Sequence, residues 1–284
     1  MNRENRARIA QHTLEILEQG CYHNSHGQMV DLAEAQDAAR MHTQHYRSAE
    51  LAQLHHRQLG VGTEPTVIGV HNESTLAAAR RLLHAGHHRV LCLNFASARN
   101  PGGGFLGGAE AQEENLAKSS GLYPCLLAQK AFYEANRQQR FCAYLDDMIY
   151  SPDVPVFRDD SYACLEQYYL VSMVTAPAVN RGAVLQHEPR RVAELEDIMR
   201  LRIRKLFALA LHHQHDTLVL GAWGCGVFGN APADMARWFA EALLGQGDYA
   251  GRFKHIEFAV LDRRNNGTYT AFAQQFGGQH HMDE

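Results

Sequence analysis

The chain has 284 residues, 45 % of them hydrophobic and 20 % charged, with a formal net charge of −4. That is apolar chain enough for one large α/β domain or two small ones, without disulfide or metal staples. A pI near 6.5 excludes the global positive field of a nucleic-acid or anionic-membrane binder, so an anionic ligand would have to be held locally, by backbone N–H groups and helix N-termini.

Six scattered cysteines (Cys21, Cys92, Cys125, Cys142, Cys164, Cys225) form no CxxC pair and read as reduced thiols. The polar opening MNRENRARIAQ lacks the apolar stretch of a signal peptide, and no run approaches the ~18 apolar residues of a membrane span. A soluble, cytoplasmic protein is expected. Histidine is common at 18, clustered at His84, His87 and His88, at His212, His213 and His215, and at His280 and His281. The first two clusters fall at predicted helix ends, where imidazole complements the dipole. The metal alternative would need a converging carboxylate or thiolate.

In chain order, residues 3–19 read as an amphipathic helix with Ile9, Thr13, Ile16 and Leu17 on one face and Gly20 as its stop. Residues 21–64 are polar, with helical stretches such as Ala49–Gln58 and no strong strand. The texture then changes. Thr66–Val70 reads as a strand, Ser74 caps a helix over Thr75–Ala85, and Arg89–Phe95 is a largely apolar strand of the kind buried between helix layers. After a long middle section come a strand at Leu170–Thr175 and a helix at Arg191–His213. They are followed by a strand at Thr217–Ala222, a helix at Pro232–Leu244 and a closing strand at His255–Leu261. Such alternation indicates an α/β fold with a mixed, mostly parallel sheet sandwiched between helices. The expected organisation is a helical N-terminal extension over 1–64 packed on a core domain over 65–284.

Open parallel sheets bind ligands beyond the carboxyl ends of their strands. Three loops there carry chemistry and are expected to open on one sheet edge: Val70–Thr75, Ser97–Glu114 and Gly221–Asn230. In the last, Gly224, Gly226 and Gly229 can turn N–H groups inward as a nest for phosphate. A tight strand–helix turn is the plainer alternative. Phe228, on a surface loop, can wall in a sugar or base. Cys225 would be a nucleophile only with a lowered pKa, and no histidine lies near it in sequence.

The second loop is more specific. Gly102–Gly104 permit a bend that side chains would block, and Gln112, Glu113 and Glu114 follow at the start of a predicted helix over about 112–120. Acidic residues favour a helix N-terminus for its dipole, which accounts for either glutamate alone. It does not account for the glycine-rich loop before them. Two neighbouring carboxylates can be driven apart in pKa, one donating a proton and the other accepting ribose hydroxyls. That suits cleavage of a ribosyl bond, with one residue serving as acid and then base.

With these residues in view, NFASARNPGGGFLGGAEAQEE (Asn94–Glu114) resembles the signature of poly(ADP-ribose) glycohydrolases: a triple glycine, a seven-residue spacer and Gln-Glu-Glu. GAWGCGVFGN resembles the diphosphate loop of the compact bacterial type, and TVIGVHNESTLAAARRLL and VSMVTAPAVN extend the likeness over most of the chain. The resemblance implies a macrodomain-like fold and metal-independent hydrolysis of the 1″–2′ ribose–ribose bond, trimming from the polymer terminus. It implies Glu114 as acid/base, Glu113 on the ribose hydroxyls and Gln112 in support. Asn100, Gly102, Gly103, Gly104 and Phe105 would lie on the ribose side, with Gly224, Cys225, Gly226 and Val227 on the diphosphate. Phe228 would position the terminal ribose, and Asn72 and Ser74 fall towards adenosine. No metal or cofactor is implied. The expected partners are poly(ADP-ribose) on modified proteins and ADP-ribose as product, with no nucleic acid, no membrane, and a monomeric enzyme. Two readings share the pocket: an ADP-ribose reader without turnover, and a mono-ADP-ribosyl hydrolase. A third, a metal-dependent hydrolase built on the histidines, would lose activity to a chelator.

Overall fold

The computed structural model describes residues 1–63 and 65–277; His280, His281 and Glu64 lie outside them. The elements in chain order are α1 (Arg3–Gln19), β1 (Cys21–His23), β2 (Met29–Asp31), α2 (Ala33–His42), β3 (Gln44–Tyr46), α3 (Ser48–Gln58), β4 (Val67–His71), α4 (Thr75–His84) and β5 (Val90–Phe95). There follow α5 (Gln112–Ser119), α6 (Leu122–Leu127), α7 (Lys130–Gln138), β6 (Met148–Arg158), β7 (Cys164–Ala176), α8 (Arg181–His187), α9 (Leu195–His212), β8 (Thr217–Leu220), α10 (Pro232–Leu243), β9 (His255–Ala259) and α11 (Thr268–Phe276). Their chain groups into two compact units. One comprises Met1–Tyr46, Asn94–Gln138 and Met148–Ala176; the other comprises Arg47–Leu93, Gln139–Asp147 and the chain from Pro177 onward.

In the first unit β3, β6 and β7 pair antiparallel, with Tyr46 opposite Met148 and Val154 opposite Val171. Helix α1 starts at Asn2, whose side chain accepts from the Asn5 N–H. It stops at Gly20, where φ of +71° gives the left-handed cap that glycine takes without a Cβ penalty. Its apolar face feeds two clusters. Ile16 packs with Tyr22, Val30, Leu32 and Phe157, and Ala10 packs with Phe105 and Ala117.

In the second unit β5, β8, β9 and β4 run parallel. Their interior is aromatic: Phe239 meets Phe258 edge-on at 5.3 Å, Phe276 stacks on Phe258 at 4.4 Å, and Phe207 meets Phe253 at 5.5 Å. Ser74 caps α4 by accepting from the Ala77 N–H at 3.1 Å, and Pro232 opens α10, where its missing donor is no loss. The class is therefore the expected mixed α/β fold, with a mostly parallel sheet flanked by helices. Among the described residues no helix is long and apolar enough to cross a membrane.

Two segments depart from the sequence reading. The stretch after Gly20 carries three strands of three residues each, too short to show a period-two pattern. The middle section holds the eleven-residue β6, interrupted by Pro152 and Pro155; its register shifts between Ser151 and Val154, the accommodation a strand proline needs.

Candidate active site

The first unit carries the carboxylates. Strand β5 ends at Asn94–Phe95, and Gln112 ties the start of α5 back to it by accepting from the Phe95 N–H at 2.8 Å. That puts Glu113 inside: it is 3 % exposed, Oε2 accepts from the Ser97 N–H at 2.6 Å, and Oε1 accepts from Asn94 Nδ2 at 3.3 Å. Asn94 is itself buried and donates to Thr175 Oγ1 at 3.0 Å. Glu114, half-buried, faces the polyglycine bend, where the Gly104 N–H donates to its Oε1 at 3.0 Å. The residue before α5 is Ala111, which makes no side-chain cap, so these carboxylates bond the loop and not their own helix end. The dipole reading does not explain them.

Gly103 shows why the loop is glycine-rich. Its φ is +60°, and a Cβ there would lie 2.4 Å from Glu114 Oε1 and 3.2 Å from Glu113 Oε2. Both carboxyls press on the same bare backbone.

Burial makes Glu113 a weak acid. Desolvation raises its pKa most, the neighbouring Glu114 charge adds to this, and hydrogen bonds from Ser97, Asn94 and Gly102 oppose it; the result is about 8. Ordinarily 4.5, the carboxyl is therefore neutral at pH 7. The sign for stability follows directly. A folded-state pKa above the unfolded one means that stability is fully present below about pH 4.5 and declines as pH rises through about 8. Wild-type protein should melt progressively lower between pH 5 and pH 9, and Glu113→Gln should flatten that decline in calorimetric scans.

Helix α1 buttresses the loop. Arg3 Nε donates to the Gly107 carbonyl at 2.7 Å, Arg6 Nε to that of Gly108 at 2.8 Å, and Arg6 pairs with Glu110 at 3.0 Å. Phe105, assigned to the ribose side, is 1 % exposed and packs edge-on against Tyr123 with ring centroids 4.7 Å apart. Its ring anchors the loop from beneath and has no face left for a ligand. Asn100 is exposed, and its carbonyl accepts from the Gly103 N–H at 3.0 Å, closing the first turn of the bend.

The second unit carries the Gly224–Asn230 turn. Gly224 (φ +72°) admits no side chain: a Cβ would meet Ala178 Cβ and Asn230 Nδ2, each at 2.5 Å. Asn230 is buried and donates to the carbonyls of Val179 at 2.9 Å and Gly224 at 3.2 Å, which locks the turn. Gly226 and Val227 are exposed at its tip, Val227 to 92 %. The Cys225 N–H already donates to the Ala222 carbonyl at 3.1 Å, so that residue has no amide left to offer a phosphate. Burial pushes its thiol up to about 12, which argues against a thiolate nucleophile. Phe228 is half-buried against Tyr144, with ring centroids 5.8 Å apart, and its carbonyl accepts from the Gly182 N–H at 3.0 Å. Tyr144, Asn180 and Asn230 went unassigned in the sequence reading. Asn230 could have been found as the polar residue closing a glycine run.

In the loop after β4 Asn72 and Ser74, expected towards adenosine, have structural tasks. Asn72 Oδ1 accepts from the Asp262 N–H at 2.9 Å, and Ser74 caps α4. His71, Glu73 and Glu257 converge as a metal site would require. Arg81 lies among them, however, 2.5 Å from Glu73 and 3.0 Å from Glu257. Burial alone would raise the Glu257 carboxyl, but hydrogen bonds from His255, His71 and Arg81 outweigh it and hold the group at about 2. The carboxylates thus have their cation in a guanidinium.

Comparison with known families matches residues 10–159 to the catalytic domain of microbial-type poly(ADP-ribose) glycohydrolases. This chain belongs to that family. The match includes the Gly102–Glu114 loop and ends before the Gly224 turn. Solved structures extend the likeness to 96 % of the chain. The glycohydrolase of Thermomonospora curvata is 50 % identical, with 96 % of this chain and 100 % of that one covered at a TM-score of 0.93. The same enzyme bound to the inhibitor ADP-HPD gives 49 %, the same coverage and 0.90. The glycohydrolase of Deinococcus radiodurans in complex with ADP-ribose is 42 % identical, with 86 % of this chain and 98 % of that one covered at 0.81. Comparison with curated protein sequences gives no match.

Proposed function

We propose that this chain is a poly(ADP-ribose) glycohydrolase that hydrolyses the 1″–2′ ribose–ribose bond and releases ADP-ribose from the polymer terminus. The observation that carries the reading is Glu114: its half-buried carboxyl faces a bend of bare backbone and is held there by a loop N–H. Glu114 protonates the departing 2′ oxygen as the bond to C1″ breaks through an oxocarbenium-like transition state. It then takes a proton from the water that adds to C1″. Burial keeps Glu113 neutral, while access gives Glu114 the bond. Glu113 and Asn100 are assigned to ribose hydroxyls, with Gln112, Phe105 and Gly102–Gly104 shaping the loop. Gly224, Gly226 and Val227 are assigned to the diphosphate, Phe228 to the terminal ribose, and Asn72 and Ser74 to the adenosine side.

Above about pH 8 Glu113 ionises and its neutral carboxyl is lost from the loop. Activity should therefore fall there by about tenfold per pH unit, the slope for one essential proton. Six free thiols fit a reducing cytoplasm; we place the enzyme there, as a monomer acting on polymer attached to modified proteins.

The test is incubation with poly(ADP-ribose) and chromatography of the products, with and without EDTA. Free ADP-ribose should accumulate equally in both. Tight ADP-ribose binding with intact polymer would make the chain a reader, and loss of release in EDTA would move the chemistry to a metal.

A further inference from the structure

Tyr144 sits in the left-handed region at φ +62°, a conformation that bulky residues avoid and that glycine or asparagine takes cheaply. It closes a turn by donating its N–H to the Phe141 carbonyl at 3.2 Å, a place where a small residue would be the economical choice. The surroundings enforce the conformation. Arg202, wholly buried, donates to the carbonyls of Ala143 at 3.0 Å, Tyr144 at 3.2 Å and Pro177 at 2.8 Å. Asp146 holds that guanidinium at 2.9 Å and the Lys205 ammonium at 2.6 Å. A buried ion-pair network thus fixes the carbonyls on both sides of one unfavourable residue. Strain of this kind persists where the surroundings over-determine it, and it gathers at functional sites.

Its result is the placement of a ring. The Tyr144 ring lies 5.8 Å from that of Phe228 at 46°, within the range of favourable aromatic pairs. From the other side Asn180 Nδ2 donates to the Tyr144 hydroxyl at 3.3 Å, while Asn180 Oδ1 caps α8 by accepting from the Ala183 N–H. The Gly182 N–H in the same helix turn holds the Phe228 carbonyl. Ring and backbone of Phe228 are each restrained.

We infer that Tyr144 is a positioning residue, its ring pinned by the Arg202–Asp146–Lys205 network so as to fix Phe228 for the terminal ribose. The inference rests on the reading of Phe228 given above. Phe228 touches the sugar; Tyr144 acts through it. A ring fixed in advance lowers the loss of freedom at the transition state, so its removal should appear in kcat more than in KM.

The experiment measures ADP-ribose release for Tyr144→Gly, Tyr144→Phe, Phe228→Leu and the double variant Tyr144→Gly/Phe228→Leu, with melting temperatures alongside. Glycine accepts the backbone conformation, so Tyr144→Gly should melt within a few degrees of wild type while its kcat falls about tenfold and KM moves less than threefold. Tyr144→Phe, which keeps the ring, should stay within about twofold of wild type. The double variant should be no worse than Phe228→Leu by more than about twofold, because the two act as one unit. Multiplicative losses in the double variant would overturn the inference, as would a Tyr144→Phe as impaired as Tyr144→Gly. A normal Tyr144→Gly beside an impaired Phe228→Leu overturns it while leaving Phe228 in its role. A normal Phe228→Leu removes the underlying reading of Phe228 and the inference with it.

Discussion

Glu114→Gln is expected to lower ADP-ribose release by ~10²–10⁴ in kcat, the range for loss of a general acid/base, while ADP-ribose affinity by calorimetry stays within a few-fold. Glutamine has nearly the same shape, and its amide oxygen can still accept the Gly104 N–H that Glu114 Oε1 receives at 3.0 Å. The bend is therefore preserved. What disappears is a group that can give a proton to the leaving oxygen and take one from water. Because the side chain is half-buried and makes that one loop contact, its replacement should not move the melting temperature by more than a degree or two. Loss of turnover without loss of binding or stability identifies proton transfer. Near-normal release by Glu114→Gln would transfer the chemistry to Glu113 or to another group, and unfolding would show that the contact with the loop is structural.

The elements legible in the sequence were those whose signals are local. Gly20 ending α1, Ser74 opening α4 and Pro232 opening α10 each stand within a residue or two of the observed boundary. The Gly102–Glu114 loop was legible for the same reason, since a triple glycine and an adjacent pair of glutamates lie within one short stretch. What long-range contacts decide was not. Nothing local marks Glu113 as neutral, because its burial comes with a hydrogen bond from Asn94 of β5, which is itself bonded to Thr175 of β7. The burial of Phe105 is likewise non-local, since Ala10 of α1 and Tyr123 pack against it. Strand β6 was hidden by its prolines, and the conformation of Tyr144 depends on Arg202, more than fifty positions away.

Gly103→Ala should lower kcat by about 10², although it adds one methyl group to a residue that need not touch the scissile bond. Two penalties act together. Alanine at φ +60° pays for a left-handed backbone, about 1 kcal/mol or somewhat more. Its Cβ would also fall 2.4 Å from Glu114 Oε1 and 2.9 Å from Cδ, closer than atoms approach. The carboxylate can swing away or the bend can open. Either movement lengthens the Gly104 N–H contact and carries the acid/base group off its line by an amount on the order of an ångström, a displacement that costs about 10² in rate. The control is Gly107→Ala. Gly107 is exposed, and its Cβ would meet nothing nearer than the Arg3 guanidinium at 3.7 Å, so turnover should be close to wild type. The two substitutions separate a loop that merely has to be thin from a backbone position that has to be bare. In a Glu114→Gln background the further loss from Gly103→Ala should shrink to a few-fold, since the group it misplaces no longer transfers a proton. If Gly103→Ala lowers the melting temperature and leaves kcat intact, the middle glycine position serves folding alone, and the polyglycine bend is not what aims Glu114.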